Sequence, residues 1–248
     1  MDKIKISAVS YLNAKPFIYG LEHFSGGYPF DLQLDMPSLC AKKLIDGQVD
    51  IGLVPVAVLP LLKEYHIITD YCIGAEGKVA SVMLYSMVPL PEIRSVLLDY
   101  QSRTSVTLVK ILASELWNIN PEWLPAQEGY ENSIQDTTAA VIIGDRTFGL
   151  EGKYPYAYDL AEEWQELTGL PFVFACWVSN KRLPDVFIEQ FNKSLKLGLD
   201  SRDILIRELA TLGYKTDVAN YLNNSIQYNY DAPKKEALRL FLSYISRF

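Results

Sequence analysis

The chain has 248 residues, 49% of them apolar and 21% charged, the make-up of an ordinary globular protein with room for one large domain or for two small lobes with real cores. Its formal net charge of −7 comes without a Lys/Arg cluster, which argues against nucleic acid as a partner. No apolar run approaches the roughly 18 residues needed to span a bilayer, so no membrane partner is expected.

Residues 3–9 alternate, with Ile4, Ile6 and Ala8 apolar before Val9, and predict a first strand. The N-terminus runs straight into that strand without a signal-peptide core, so a cytoplasmic location is expected. Ser10 to Pro16 follow as a polar mouth. Asn13 suits a helix N-cap and Pro16 a first helical turn. A turn is expected at 25–29, then a strand over Phe30, Leu32 and Leu34. Pro37 opens a helix that Gly47 stops. Residues 49–54 read as a buried strand, and Pro55 opens another helical segment. This β, α, β, α, β, α order predicts a parallel sheet with right-handed crossovers.

An extended region at 67–73 and a turn at 74–78 lead into a strand at 79–86, after which Pro89 and Pro91 interrupt the chain. The next unit begins with a short buried strand, Val96 to Leu98, and a turn through Asp99. Apolar residues at Val106, Val109, Leu112, Ala113 and Leu116 then carry helical spacing. Ser102 is its natural N-cap, which puts Arg103, Thr104 and Ser105 in the first turn. Free backbone N–H groups, two hydroxyls and a guanidinium gather there, a ready seat for an anion. A plain cap with Thr104 and Ser105 facing water is the competing reading.

A short strand is expected near Trp123, a turn or helix at 132–137, and a strongly apolar strand at 139–143 ending in Gly144-Asp145. Asp145 suits a cap for the helix after it. Residues 154–158 read as aromatic loop, 160–167 as helix, and 170–178 as a long buried strand. Helices at 184–199 and 203–212, a strand around Ile226 to Tyr230 and a last helix from Ala232 complete the chain. The three cysteines, Cys40, Cys72 and Cys176, lie apart among apolar residues and fit packing better than a disulfide framework or zinc site.

Two chain crossings, near 84–91 and 175–180, imply two α/β lobes: residues 1–86 with 179–248, and residues 87–178. Ligands in open α/β sheets sit beyond strand C-termini. The polar tips at Ser10 to Asn13, Pro55, Ser102 to Ser105 and Gly144-Asp145 all fall there, so a cleft would gather them around one small molecule.

Those tips also carry a family resemblance. Ser-Tyr-Leu-Asn-Ala-Lys-Pro at 10–16, Gly47-x-x-Asp50-Ile51-Gly52-Leu53-x-Pro55, Ser102-Arg103-Thr104-Ser105-Val106, Ile143-Gly144-Asp145 and Leu170-Pro171-Phe172-Val173-Phe174-Ala175-x-Trp177 occur in that order. As a set, over about residues 3 to 180, they resemble the chorismate dehydratases, the first enzymes of the futalosine route to menaquinone. The resemblance implies a fold like the type 2 periplasmic binding proteins, each lobe a mixed, mostly parallel sheet flanked by helices, with the ligand cleft between. It implies loss of water from chorismate to give 3-[(1-carboxyvinyl)oxy]benzoate, and a small dicarboxylate as the partner. No cofactor is expected, and the sequence has no metal-ligand cluster.

On that reading Asn13 is the catalytic candidate, orienting the reacting groups through its amide. Substrate binding is expected from Ser10, Ser81, Ser102, Arg103, Thr104, Ser105, Gly144 and Asp145, with one carboxylate at the turn Arg103 to Ser105 and Ser81 nearby. Arg103 has a second reading as a structural ion pair. His23 and His66 lie in no matched motif, and no paired carboxylates occupy the tips, so the base is expected to be the substrate's own enolpyruvyl carboxylate. Asp145 is the alternative acid or base. Two rivals stand: the 1,4-dihydroxy-6-naphthoate synthases of the same pathway, which place a histidine at the reacting site, and a binding module without chemistry that uses the same cleft. A dimeric structural protein is a third and blander reading, which the polar tips disfavour.

Overall fold

A computed structural model describes residues 3–26 and 29–247. Part of the turn expected at 25–29 lies outside the described residues. The chain builds two sheets, six-stranded and five-stranded. The first begins with β1 (Ile4–Val9), β2 (Phe30–Asp35) and β3 (Ile51–Pro55), which pair in parallel with β1 in the middle. Between them run α1 (Lys15–His23) and α2 (Pro37–Ile45). These are the parallel β-α-β units that the element order predicts. The segment after Pro55 is a 3-10 helix, Val56–Leu61, not an α-helix; Pro60 inside it has no N–H to continue an α-helical ladder.

The strand β4 (His66–Ala75) ends the first pass, and the chain then crosses to the second sheet through residues 76–81. There β5 (Val82–Ser86), β6 (Ser95–Leu98), β7 (Glu122–Pro125), β8 (Thr138–Ile143) and β9 (Tyr156–Asp159) lie in the order β7-β6-β8-β5-β9. The helix α3 (Arg103–Glu115) follows β6, and α4 (Leu160–Thr168) follows β9. Residues 154–158, expected as loop, instead contribute β9, an edge strand paired antiparallel with β5. The chain returns through 169–171 into β10 (Phe172–Ser179), which lies between β3 and β4 and is antiparallel to both. The long α5 (Asp185–Asp200), α6 (Arg202–Leu209), the short α7 (Val218–Asn220), β11 (Gln227–Asn229) on the free edge of β4, and α8 (Ala232–Ile245) finish the first lobe.

The sheets therefore divide the chain differently from the expected borders at 86/87 and 178/179. All of β5 belongs to the second sheet and all of β10 to the first. Pro89 and Pro91 mark a turn inside the second lobe, not its edge. The apolar run of β10 is buried at every residue because it is a central strand covered on both faces. Both sheets are mixed, and the crossing strands supply the antiparallel pairs, so the parallel share is smaller than expected.

Alternation decides which core each strand feeds. In β8, Ala139, Val141 and Ile143 join the main core, while Ala140 and Ile142 join a smaller cluster with Tyr85, Tyr130 and Ile134. The return crossing is pinned by Trp164, fully buried, whose indole N–H donates to the Pro171 carbonyl at 3.1 Å. The three cysteines are buried and free, consistent with packing. Among the described residues no helix is long and apolar enough to cross a membrane.

The helix that carries the first polar mouth is held from behind by a backbone-to-backbone contact. A Cβ on Gly198 of α5 would lie 1.8 Å from the Pro16 carbonyl oxygen, and one on Gly20 of α1 would lie 2.0 Å from that of Ser194. Gly198→Ala must push the two helices apart. Overpacking of this kind costs about 1–3 kcal/mol, so the melting temperature followed by circular dichroism is expected to fall by about 5 °C.

Candidate active site

A small cavity of about 60 Å³ opens between the lobes. The C-terminal tips of β1, β3, β6 and β8 supply Asn13, Pro55, Ser102 and Gly144. The two passages between the sheets also contribute, with Ser81 and Val82 at the start of β5 and Phe174 and Ala175 in β10. Six of the nine expected site residues line this one cavity, namely Asn13, Ser81, Ser102, Thr104, Ser105 and Gly144.

Ser10, Arg103 and Asp145 do not line it. Ser10 and Arg103 are exposed. Arg103 shares the first turn of α3 with Thr104, but successive helical side chains point about 100° apart, so when Thr104 faces inward Arg103 faces out. Asp145 does not cap its own helical turn. Its carboxylate reaches across to the other lobe, where Oδ1 and Oδ2 accept from the Leu12 N–H at 3.0 and 3.3 Å. Burial raises its pKa, offset by that N–H and by Lys15. Asp145 is thus a cross-lobe clamp and not a group offered to a ligand.

With Leu12 capped from outside, Asn13 is not needed as an N-cap. The turn Leu12–Ala14 is 3-10, and α1 begins at Lys15 without a side-chain cap. The Asn13 side chain is left for the cavity, and its amide oxygen is buried without a partner. Next to it Tyr11, part of the same sequence motif but not expected at the site, lines the cavity and donates from its hydroxyl to Gln101 of the second lobe. Burial pushes its pKa up to about 12. Its ring lies against Gly144, where a Cβ would come within 2.9 Å of the ring and where φ is +63°. Only glycine serves both the left-handed backbone and the close approach.

The first turn of α3 is organised by its cap. Ser102 Oγ accepts from the Ser105 N–H at 3.0 Å and donates to Ser105 Oγ at 2.9 Å. The Ser105 hydroxyl proton has no partner among the described residues, so it is available to a ligand. Thr104 is spent differently. Its Oγ1 accepts from the Ala57 N–H at 3.2 Å and donates to the Phe174 carbonyl at 3.3 Å, which ties α3 to the first sheet. The loop before this turn is fixed from behind by Asp99, which accepts from the Gln101 N–H at 2.7 Å and pairs with Arg146. Arg146 also meets Glu131 at 3.0 Å, so its charge is already matched.

Ser81 sits just past a bend held by Asp159. The Asp159 Oδ2 accepts from the Val79 and Ala80 N–H groups at 2.9 and 2.7 Å, while Oδ1 caps α4 at Ala161 and Glu162. Ala80 takes the left-handed φ of +60°, a conformation that residues with a Cβ adopt at a cost. The Ser81 carbonyl accepts from the Gly144 N–H at 2.8 Å, and its Oγ accepts from the Tyr221 hydroxyl at 2.8 Å. Neither histidine is near: His23 is stacked on Tyr19, and His66 pairs with Glu64 at 2.7 Å.

Comparison with known proteins agrees with this geometry. The profile of the menaquinone biosynthesis family matches residues 4–247. The chain belongs to that family. Two similar relatives are the chorismate dehydratases of Thermus thermophilus, 24% identical over 92% of this chain and 94% of that one, and of Campylobacter jejuni, 27% identical over 94% of each. Among solved structures, an Archaeoglobus fulgidus protein superposes with a TM-score of 0.75 at 15% identity, covering 99% of this chain and 97% of that one. The periplasmic aliphatic sulphonate binding protein of Escherichia coli superposes with a TM-score of 0.64 at 14% identity, covering 100% and 92%. The menaquinone biosynthesis family fold is therefore the two-lobed fold of periplasmic binding proteins. In this member of the family the N-terminal mouth, the first turn of α3 and the β8 tip converge on a single cavity.

The Asp159 clamp has a measurable signature. Burial pushes its pKa from 3.8 up to about 6, although four backbone N–H groups pull the other way. A raised folded-state value means that folding favours the protonated acid. That stabilisation is full below about pH 4 and is lost as the pH rises through about 6. Carbon-detected NMR titration of the Asp159 carboxyl is expected to give a midpoint near 6, where an exposed aspartate titrates near 4.

Proposed function

We propose that the chain is a hydro-lyase that converts chorismate to 3-[(1-carboxyvinyl)oxy]benzoate and water. The observation that carries this reading is the chemistry of the cavity wall. It offers neutral donors and one end of a helix, and among the described residues its only titratable group is Tyr11, with a pKa near 12. A proton abstraction there at neutral pH needs a base that arrives with the substrate. Chorismate brings one. Its enolpyruvyl carboxylate takes the C3 proton, the C3–H electron pair enters the ring, and the C4 hydroxyl departs with a proton as water. The ring becomes aromatic, so the driving force lies in the substrate. The protein has to supply position, anion binding and dryness.

In this scheme the first turn of α3 receives one carboxylate. The N–H groups at the start of a helix that is 13 residues long favour an anion by about 0.3–1 kcal/mol through the dipole, and each hydrogen bond to a charged group adds about 1.5–3 kcal/mol. Asn13 orients the reacting groups through its amide, since an amide is no general base. The full-length similarity to two chorismate dehydratases supports the assignment. A reaction that relies on an active-site histidine has less support, because both histidines are engaged elsewhere.

Purified chain mixed with chorismate is expected to yield the enolpyruvyl benzoate, read by liquid chromatography with mass detection. Binding without product would make this a ligand-binding protein and end the proposal. Asn13→Ala is expected to lower kcat by about 100-fold, the scale of losing one transition-state hydrogen bond; normal turnover would remove Asn13 from the reaction. Thr104→Ala, which cuts the tie between α3 and the first sheet, is expected to raise KM for chorismate about tenfold. An unchanged KM would count against the α3 seat.

A further inference from the structure

The cavity wall has two layers, and the outer layer comes from a part of the chain that none of the sequence motifs touches. Tyr221 lies 140 residues from Ser81 in sequence. It begins a single π-helical turn, Tyr221–Ser225, directly after α7. Turns of this kind are rare and cluster at functional sites. The Asp217 carboxylate starts this region by capping the Asn220 N–H at 2.9 Å. The ring of Tyr221 packs edge-on to Phe148 at 5.2 Å, and the residue is fully buried.

The polarity of its hydrogen bonds is what matters. The Asn13 amide oxygen is buried without a partner and lines the same cavity as Ser81. The phenol proton is committed to Ser81 Oγ at 2.8 Å. Ser81 Oγ, having accepted that bond, keeps its own proton, for which the described residues offer no acceptor. The result is a one-way relay of donors, from Tyr221 to Ser81, that ends at the cavity.

We propose that Tyr221 is a positioning residue that fixes Ser81 as a hydrogen-bond donor to the departing C4 hydroxyl. This rests on the dehydratase reading above. A serine with free rotation would spend part of its time accepting from the substrate, which does nothing for a leaving oxygen that gains negative charge. A serine already occupied as acceptor donates, and a bonded chain of donors strengthens the last link. The unpartnered Asn13 amide oxygen can accept from the C4 O–H, so that one group holds the leaving hydroxyl while Ser81 donates to it. Tyr221 itself touches neither.

The test is a double-mutant cycle on the full chain with chorismate as substrate. Tyr221→Phe keeps the ring and removes the donor. It is expected to lower kcat about tenfold with KM within about twofold. Ser81→Ala is expected to lower kcat more, and Tyr221→Phe placed on top of it is expected to lower kcat no further, because the two act through one atom. Phe148→Leu, which loosens the packing of Tyr221 without touching the chain of donors, is expected to lower the melting temperature and keep kcat within about twofold. Wild-type kcat in Tyr221→Phe, or full additivity in the double variant, overturns the proposal. If Tyr221→Phe does not fold, Ser81→Ala decides alone: undiminished kcat there overturns it. Wild-type chain inert towards chorismate overturns this proposal together with the dehydratase reading, whereas active wild type with an indifferent Tyr221→Phe overturns the positioning role only.

Discussion

One hydrogen bond reaches from lobe to lobe at the mouth of the cavity, between the Leu12 N–H and the Asp145 carboxylate. Around it sit the Tyr11 ring against Gly144 and the Thr104 hydroxyl between Ala57 and Phe174. These contacts join the start of α1, the tip of β8 and the start of α3, elements that share no sheet. Each is worth about 1–3 kcal/mol, and together they define the cavity. They add directional contacts to the hydrophobic core that both lobes share, and they do so at the wall of the cavity itself. Asp145 is therefore better kept as a clamp than exposed as an acid.

The electrostatics of the cavity are those of a neutral wall around an anion. The chain carries a net charge of −7, and its overall field opposes the approach of a dicarboxylate. Among the described residues no lysine or arginine lines the space, and Arg146 behind Tyr11 is committed to Asp99 and Glu131. Binding then depends on N–H and O–H dipoles fixed in place. Such a wall fits the proposed dehydration, whose substrate and product are both dicarboxylates.

Much of this was legible in the sequence, for a physical reason. Helical and alternating periodicity is set by burial, so β1, β8, α2 and α3 could be read from which residues are apolar. The six expected residues that line the cavity lie at strand tips or in the first turn of a helix, where local geometry alone aims them. The misses have causes of another kind. Arg103 and Ser10 sit beside inward residues and turn outward, which adjacency in sequence does not reveal. Asp145 answers to Leu12, 133 residues away, and Gln101 to Tyr11, 90 residues away; no local pattern encodes such pairs. The β9 strand is four residues long and looked like loop because an edge strand needs no apolar alternation on its outer side. Tyr221 gave no signal at all, because its π-helical turn follows a three-residue helix in a polar stretch.

The place of β10 has a bearing on biosynthesis. The second lobe is made from one continuous run of chain, so it has all its strands once β9 has left the ribosome. The first lobe does not. Its sheet has a gap between β3 and β4 that only β10 fills, and α1 has no backing until the glycine face of α5 arrives. Pairings this distant pay their loop-closure entropy before any contact rewards it. The N-terminal strands emerge first yet must wait, with an open apolar seam, for a partner translated more than a hundred residues later. Assembly of the first lobe is thus the step at which a ribosome-bound chain is most exposed to aggregation or to chaperone capture.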